Sequence, residues 1–284
     1  MAKTAKKANK VSPARGARTK LHIVVCIKPV PDPAAWSKLR LHPDTMLLNR
    51  AELGAVINPL DLNAIEQALA IKEASAAGIS VLTMAPPAAE DQLREALAMG
   101  CDEAYLASDR AFAGADTLST ARCLAAAIRK IGDVDLVFCG AYSADGSTAQ
   151  VGPQIAELLE MPDLTHVVGI EMVPGGLRVV CKVEDGTVAA ECGFPALLTF
   201  DREANRPRLA TMPGIRRARG LAVISWTATD LGLDPALTGL QGSPTQMLNV
   251  FTQPTGRKGE MLSGSAAEMA ENLLARLHAA KVLE

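Results

Sequence analysis

The segment Gly140–Gln150, GAYSADGSTAQ, combines residue types with which proteins commonly hold phosphate. It follows an apolar run typical of a buried strand, and it leads into a helix predicted to begin at Ser147. Gly140 and Gly146 allow close approach of the backbone, while Ser147 and Thr148 are typical of a helix N-cap. The free N–H groups of a first helical turn favour an anion. The pattern is equally typical of an ordinary capped helix, since the sequence has no Walker A or G-x-G-x-x-G motif.

Other side chains capable of chemistry are scattered along the sequence. The segment Asn58–Asp61, NPLD, is typical both of a ligand-binding turn and of a common helix start. The four histidines lie far apart, and no Ser or Cys motif accompanies them. The six cysteines include no C-x-x-C pair, so neither a zinc site nor a disulfide framework is expected. If this chain takes part in a chemical reaction, a bound cofactor must therefore supply the reactive group.

The elements that position these residues alternate between strands and helices. Four strands are predicted before residue 140: Leu21–Val30, Ile79–Met84, Glu103–Ala107 and Val134–Cys139. Helices are predicted after Asn58, over Glu90–Met99, over Asp116–Ile131 and over Ser147–Leu159. This alternation predicts an α/β fold, with a parallel sheet in a Rossmann-like nucleotide-binding domain. Ligands of such sheets bind beyond the carboxyl ends of the strands.

The pattern changes after residue 160. Four short strands with turn signals between them predict an antiparallel extension of the sheet: His166–Val173, Leu177–Val183, Thr187–Glu191 and Ala196–Phe200. From Asn205 onward many prolines and glycines predict an extended arm, with a clear helix only over Ala266–Val282. The predicted organisation is a basic tail at 1–20, an α/β domain at 21–204 and a C-terminal arm at 205–284 that packs on another chain.

Composition narrows the classes of function. Of 284 residues 49% are hydrophobic and only 3% aromatic, and the formal net charge is −2, so nucleic acid is not an expected partner. No apolar run is long enough to span a bilayer, and the scattered cysteines fit a reducing cytoplasm. The first twenty residues hold seven Lys or Arg and no acid. They predict a disordered tail, with an organelle transit peptide as the alternative.

Several segments together resemble the beta subunit of electron transfer flavoproteins. The resemblance covers roughly residues 21–284 and is carried by six segments in the family's order: Val24–Pro31, Ile57–Glu66, Leu93–Glu103, Gly140–Pro153, Lys182–Thr199 and Asn205–Ile215. It implies an adenine nucleotide alpha hydrolase-like fold and a heterodimer with an alpha subunit that carries its own flavin. The beta subunit of this family binds AMP or, in the electron-bifurcating group, a second FAD that accepts hydride from NADH. Electrons then pass to the alpha-subunit FAD and to a ferredoxin or flavodoxin.

Three segments resemble the bifurcating group in particular. They are Asp145–Pro153 (DGSTAQVGP), Asp109–Leu118 (DRAFAGADTL) and the stretch from Gly239 to Glu260. The chain departs from the family at Ala141 and Tyr142, where a basic residue and a Gln are usual. It also has Ser147 where the bifurcating group usually has an aspartate. Loss of the cation weakens the positive potential near the phosphates, and Tyr142 could stack on an aromatic ring.

Carried over position by position, the resemblance implies a set of nucleotide contacts. They are Cys26, Asn58, Asp61, Met84, Gly140, Asp145, Gly146, Ser147, Thr148, Ala149, Gln150 and Val151. Asp116 and Thr117 are two further candidate contacts outside this carried-over set. Met212 lies at the position that family members place against dehydrogenases, although simple packing against the alpha subunit is as good an interpretation. Two alternatives remain open. One is a non-bifurcating subunit with AMP that serves acyl-CoA dehydrogenases, and the other is a stand-alone adenine-nucleotide sensor.

Overall fold

A single large sheet organises the part of the chain that the computed structural model describes, which is residues 20–34, 54–246 and 259–283. Within that part its nine strands are β1 His22–Cys26, β4 Gly78–Met84, β5 Glu103–Ala107, β6 Leu136–Gly140, β7 Asp163–Val173, β8 Gly176–Val183, β9 Gly186–Gly193, β10 Ala196–Phe200 and β11 Val223–Trp226. They follow the order β11-β5-β4-β1-β6-β10-β7-β8-β9 across the sheet. Neighbours from β11 to β7 run parallel, and β7-β8-β9 is an antiparallel meander. The predicted α/β class with an antiparallel extension is confirmed.

Helices cover both faces of the parallel part. Helices α1 Pro59–Ser75, α2 Glu90–Met99 and α5 Met212–Arg219 bury side chains in the hydrophobic core on one face. Helices α3 Thr117–Ile131 and α4 Val151–Leu159 bury theirs on the other face. The central strands are apolar on both sides because both faces are covered, as parallel sheets require. None of these helices, nor any other in the described ranges, is long and apolar enough to cross a membrane.

The predicted strand Leu21–Val30 is wrong as one element. Strand β1 ends at Cys26, and β2 Pro29–Pro31 pairs antiparallel with β3 Ala55–Ile57 in a separate two-stranded sheet. Proline has no N–H to donate, so the two prolines cannot continue a ladder in the centre of a sheet. The chain therefore turns away just beyond the carboxyl end of β1.

Strand β10 also differs from the prediction. It lies between β6 and β7 and is parallel to both, so it belongs to the central sheet and not to the antiparallel extension. Its residues, ALLTF, are all buried, whereas β8 is buried only in part and β9 is largely exposed. A fully buried run of this kind is typical of a central parallel strand.

Residues 205–246 lie in the same compact unit as the sheet, which extends to residue 248. Helix α5 packs against α2, and β11 adds a parallel edge strand beside β5. The structure thus places part of the predicted arm with the α/β domain, beyond the expected limit of 204. The basic tail lies almost wholly outside the described residues.

The second unit, residues 249–284, is described from residue 259 to 283. It contains α6 Ala266–Ala279, which begins with a capping box formed by Ser265 and Glu268. An ion pair joins Arg276 to Glu260. The predicted helix Ala266–Val282 therefore forms, but it ends three residues earlier. Packing of this segment on a partner stays a prediction.

Candidate functional site

The carboxyl ends of β4, β1 and β6 lie side by side and bring Met84, Cys26 and Gly140 to one edge of the sheet. Cys26 and Cys139 are buried at the ends of adjacent strands. Their thiols share a hydrogen bond, which together with burial raises the pKa of Cys139 above its ordinary value. A thiol held neutral is a poor nucleophile. Cys139 is therefore poorly suited to act as a reactive centre.

Asn58 braces the loop that follows β6. It is buried just before α1, and its side-chain amide donates to Asp61 Oδ1 at 2.9 Å and to the Tyr142 carbonyl at 3.0 Å. Its side-chain oxygen accepts from the Ala144 N–H at 3.0 Å. Both groups of the amide are thus engaged in fixing the backbone on either side of Ser143. In the structure the side chain of Asn58 therefore positions the loop by binding main-chain groups of Tyr142 and Ala144.

Asp61 completes this brace, which consists of Asn58 and Asp61. Its carboxylate accepts from the Lys28 N–H at 2.7 Å and from the Gly140 N–H at 3.0 Å. Burial raises the pKa of Asp61 to about 7, although its donors and the nearby Lys28 charge act in the opposite direction. A Cβ on Gly140 would lie 2.3 Å from Asp61 Oδ1. Glycine at 140 is therefore required by the carboxylate of the brace.

The loop between the brace and α4 is exposed and has an unusual backbone. Ser147 and Ala149 have φ values of 49° and 54°, in the left-handed region that few non-glycine residues adopt. The predicted N-cap at Ser147 and Thr148 is wrong, because α4 begins at Val151 with Gln150 as its N-cap. The left-handed residues make the chain change direction, so the helix cannot begin at Ser147.

This backbone presents unpaired donors. Within the described chain, the N–H groups of Thr148, Ala149 and Gln150 have no hydrogen-bond acceptor, and all three residues are exposed. The backbone passes from the left-handed residue Ala149 to the right-handed residue Gln150, and such a step turns successive N–H groups toward one concavity, which is a known anion-binding arrangement. The adjacent first turn of α4 adds its own free N–H groups and the positive end of the helix dipole. We call residues 147–150 the anion loop.

The start of α3 borders the anion loop. Thr117 Oγ1 donates to Gln150 Oε1 at 2.9 Å, so the N-termini of α3 and α4 meet. Asp116 caps α3 by accepting from the Ser119 N–H, and it also accepts from the Thr245 N–H at 3.0 Å. Burial would raise the pKa of Asp116, but its hydrogen bonds outweigh burial and hold the pKa below the ordinary value. An ionised Asp116 at this edge fits a role in fixing helix α3.

One residue of the site was missed by sequence reasoning. Lys28 Nζ contacts Asp145 Oδ1 at 2.7 Å and Ser143 Oγ at 3.2 Å, beside the loop after β6. The prediction placed Lys28 inside a long strand, where its side chain had no reason to approach residue 145. The proline that follows it was the signal, since it marks the point where the chain leaves the sheet.

The predicted residues thus fall into two places. Most of them gather at the carboxyl edge, around the brace, the anion loop and the start of α3. Met212 lies elsewhere, at the start of α5, where 78% of it is exposed. In the described ranges no cluster of His, Cys, Asp or Glu is suited to a metal ion.

Comparison with known proteins gives a consistent result. A family model described as "Electron transfer flavoprotein domain" matches residues 45–231. The chain is 44% identical to an electron transfer flavoprotein subunit beta of Thermoanaerobacterium thermosaccharolyticum, over 93% of this chain and 100% of that one. It is 43% identical to the caffeyl-CoA reductase-Etf complex subunit CarD of Acetobacterium woodii, over 90% and 98%. It is 41% identical to the acryloyl-CoA reductase electron transfer subunit gamma of Anaerotignum propionicum, over 90% and 98%.

Proposed function

The chain belongs to the electron transfer flavoprotein family, in its beta-subunit branch, and from this premise we propose that it binds FAD at the carboxyl edge of its sheet. We expect it to work as a heterodimer with an alpha subunit that carries a second FAD. The family assignment replaces the alternative of a stand-alone nucleotide sensor. A cytoplasmic location remains the expectation from the sequence.

The observation that carries the FAD proposal is the anion loop. It offers three unpaired N–H groups in a left-handed bend, next to the first turn of α4. Backbone donors in such a bend suit the phosphates of a nucleotide, and strained residues of this kind persist where the surrounding structure fixes them. Gly146 and Ala149 have small or absent side chains, which leaves room for a diphosphate at this position.

The roles of this chain's own residues follow from where they lie. The anion loop binds the phosphates, and the brace of Asn58 and Asp61 keeps that loop in place. Tyr142 is 41% exposed beside the loop, and its ring is proposed to stack on the ligand. FAD, when bound, would supply the hydride and single-electron chemistry for which these side chains have no suitable group. The protein provides position and charge.

We further propose the bifurcating form, in which NADH is the electron donor. The support is the likeness of DGSTAQVGP to that group's loop and the similarity to subunits whose names include coenzyme A ester reductases. In this form electrons pass to the alpha-subunit FAD and to a low-potential acceptor such as ferredoxin or flavodoxin. Ala141 and Tyr142 depart from the family as a whole and Ser147 departs from the bifurcating group, so the alternative with AMP in the site stays open.

Nucleotide content separates the two forms. The complex of this chain with its alpha subunit is purified, denatured, and its released nucleotides are identified and counted by chromatography. Two FAD per heterodimer is expected for the bifurcating form, whereas one FAD and one AMP would overturn the FAD proposal. Reduction by NADH, followed by flavin absorbance under anaerobic conditions, then tests the donor.

Partner recognition is proposed for α5. Met212 is largely exposed, and the neighbouring Leu209 is 88% exposed. Two largely exposed apolar side chains three residues apart give this surface an apolar character that a partner could cover, and family members place the position of Met212 against dehydrogenases. An acyl-CoA dehydrogenase is the expected partner at this surface, and the alpha subunit is the competing one. Replacing Met212 with Ser should weaken reduction by the dehydrogenase without dissociating the heterodimer.

A further inference from the structure

The side chain of Lys28 leaves the sheet at the end of β1 and reaches across to the loop after β6. Its ammonium contacts Asp145 and Ser143, at 2.7 Å and 3.2 Å. It also lies 3.8 Å from the point where a Cβ on Gly146 would sit, next to the start of the anion loop. A positive charge is therefore held beside Gly146, two residues before the first of the unpaired N–H groups.

The ion pair with Asp145 leaves part of this ammonium available. The Asp145 side chain is only 6% exposed, but that of Lys28 is 47% exposed. An ammonium has three N–H donors, and two of them are used by Asp145 and Ser143. The third has no acceptor in the described part of the chain. Asp145 and Ser143 thus hold the ammonium in one position while one donor still faces outward.

The usual cation of this loop is missing from the chain. Ala141 occupies the position after Gly140, is 4% exposed and donates its N–H to the Phe200 carbonyl. The other lysine near Tyr142 is Lys182, whose ammonium is paired with Glu203 at 2.6 Å. Lys28 is therefore the ammonium that contacts the loop after β6 within the described ranges. A fixed cation near backbone donors adds charge-assisted bonds to an anion, which are stronger than neutral ones.

We propose that Lys28 is a phosphate-recognition residue of the nucleotide site. Asp145 and Ser143 hold its ammonium, and its third donor binds a phosphate oxygen of the ligand in the anion loop. This inference rests on the proposed nucleotide site and adds one residue to it. The charge of the phosphates, and not the adenosine portion, is what Lys28 recognises.

The test compares ligands that differ only in phosphate charge. Adenosine, AMP and ADP are titrated by calorimetry into the heterodimer, with the beta-site nucleotide removed and the alpha-subunit flavin retained. In Lys28→Met we expect adenosine affinity to change less than twofold, and AMP affinity to fall about 5- to 30-fold. ADP should lose at least as much as AMP. Lys28→Arg should recover most of the loss, because it keeps the charge.

Lys182→Met is the matched control, since that lysine is half exposed and ion-paired like Lys28. It should leave the affinities for all three ligands unchanged. An equal loss for adenosine, AMP and ADP in Lys28→Met would overturn the inference, because it would show that Lys28 only supports the loop. No loss for any ligand would overturn it as well. Failure of the unmodified heterodimer to bind AMP or ADP would instead overturn the proposed nucleotide site.

Discussion

Replacing Asp61 tests the brace, because the loss of unfolding free energy should grow with the number of hydrogen bonds that the substitution removes. The carboxylate accepts three, from Lys28 N, Gly140 N and Asn58 Nδ2. In Asp61→Asn the amide oxygen can keep the two bonds made by Oδ1, while the NH₂ group faces the Lys28 N–H. One buried donor is then unpaired, which costs about 1–3 kcal/mol of unfolding free energy.

In Asp61→Ala all three donors lose their acceptor. The desolvation penalty of the carboxylate also disappears, so the cost stays below three times the single loss, at about 3–5 kcal/mol. Urea denaturation at pH 8, where the Asp61 carboxyl is ionised, followed by circular dichroism measures both values. Asp91→Asn, at an exposed position of α2, is the control and should change stability by less than about 0.5 kcal/mol. If Asp61→Asn and Asp61→Ala lowered the unfolding free energy equally, the stability of the brace would not depend on the number of hydrogen bonds, and this reasoning would be refuted.

The same comparison predicts a pH dependence. Burial raises the pKa of Asp61 from 3.8 to about 7 in the folded chain. Between these pH values the folded state holds a proton that the unfolded state has lost. The contribution of this protonated carboxyl to the unfolding free energy is therefore complete at low pH and is lost as the pH rises through 7. The difference in unfolding free energy between the unmodified chain and Asp61→Asn should therefore shrink from pH 5 to pH 8. A difference that grew with pH would contradict this sign.

Other changes test the site further. Gly140→Ala should lower the unfolding free energy by about 2–4 kcal/mol, because its Cβ would lie 2.3 Å from Asp61 Oδ1. Gly146→Ala should lower it by under about 1 kcal/mol in the same assay, because its Cβ would lie 3.3 Å from its nearest neighbour, Ser143 Oγ. Gly146→Val should release the beta-site nucleotide and leave the alpha-subunit flavin bound, as measured by nucleotide extraction; full occupancy would show that the loop is placed wrongly. Thiol labelling read by mass spectrometry should modify the half-buried Cys192 before the buried Cys139, whose pKa is raised by the Cys26 thiol and burial.

The sequence was informative where patterns are local. The runs that became β4, β5 and β6 are apolar and bounded by clear turn or helix signals, so their strands and the α/β class could be predicted. The position of β10 in the sheet could not be predicted, because the order of strands depends on contacts across the sheet that no local sequence pattern records. Strand β11 was missed for a related reason, since four residues among many glycines and prolines carry little periodic signal.

The site shows the same division. Residues at the carboxyl edge could be chosen from the order of the strands and the family resemblance. The role of Asn58 and Asp61 as a brace could not be predicted from the sequence, because it depends on hydrogen bonds to backbone groups about 80 residues further along the chain. The left-handed residues Ser147 and Ala149 were also unpredictable, since neither residue type favours that region.

The brace holds the loop after β6 by its main chain, through the Gly140 and Ala144 N–H groups and the Tyr142 carbonyl. The bonds from the brace therefore do not depend on which side chains follow Gly140 in this loop. Exchanges there can retune charge and stacking around a ligand while the path of the polypeptide stays the same. Two descendants of one ancestral subunit could in this way come to hold different nucleotides with the same scaffold.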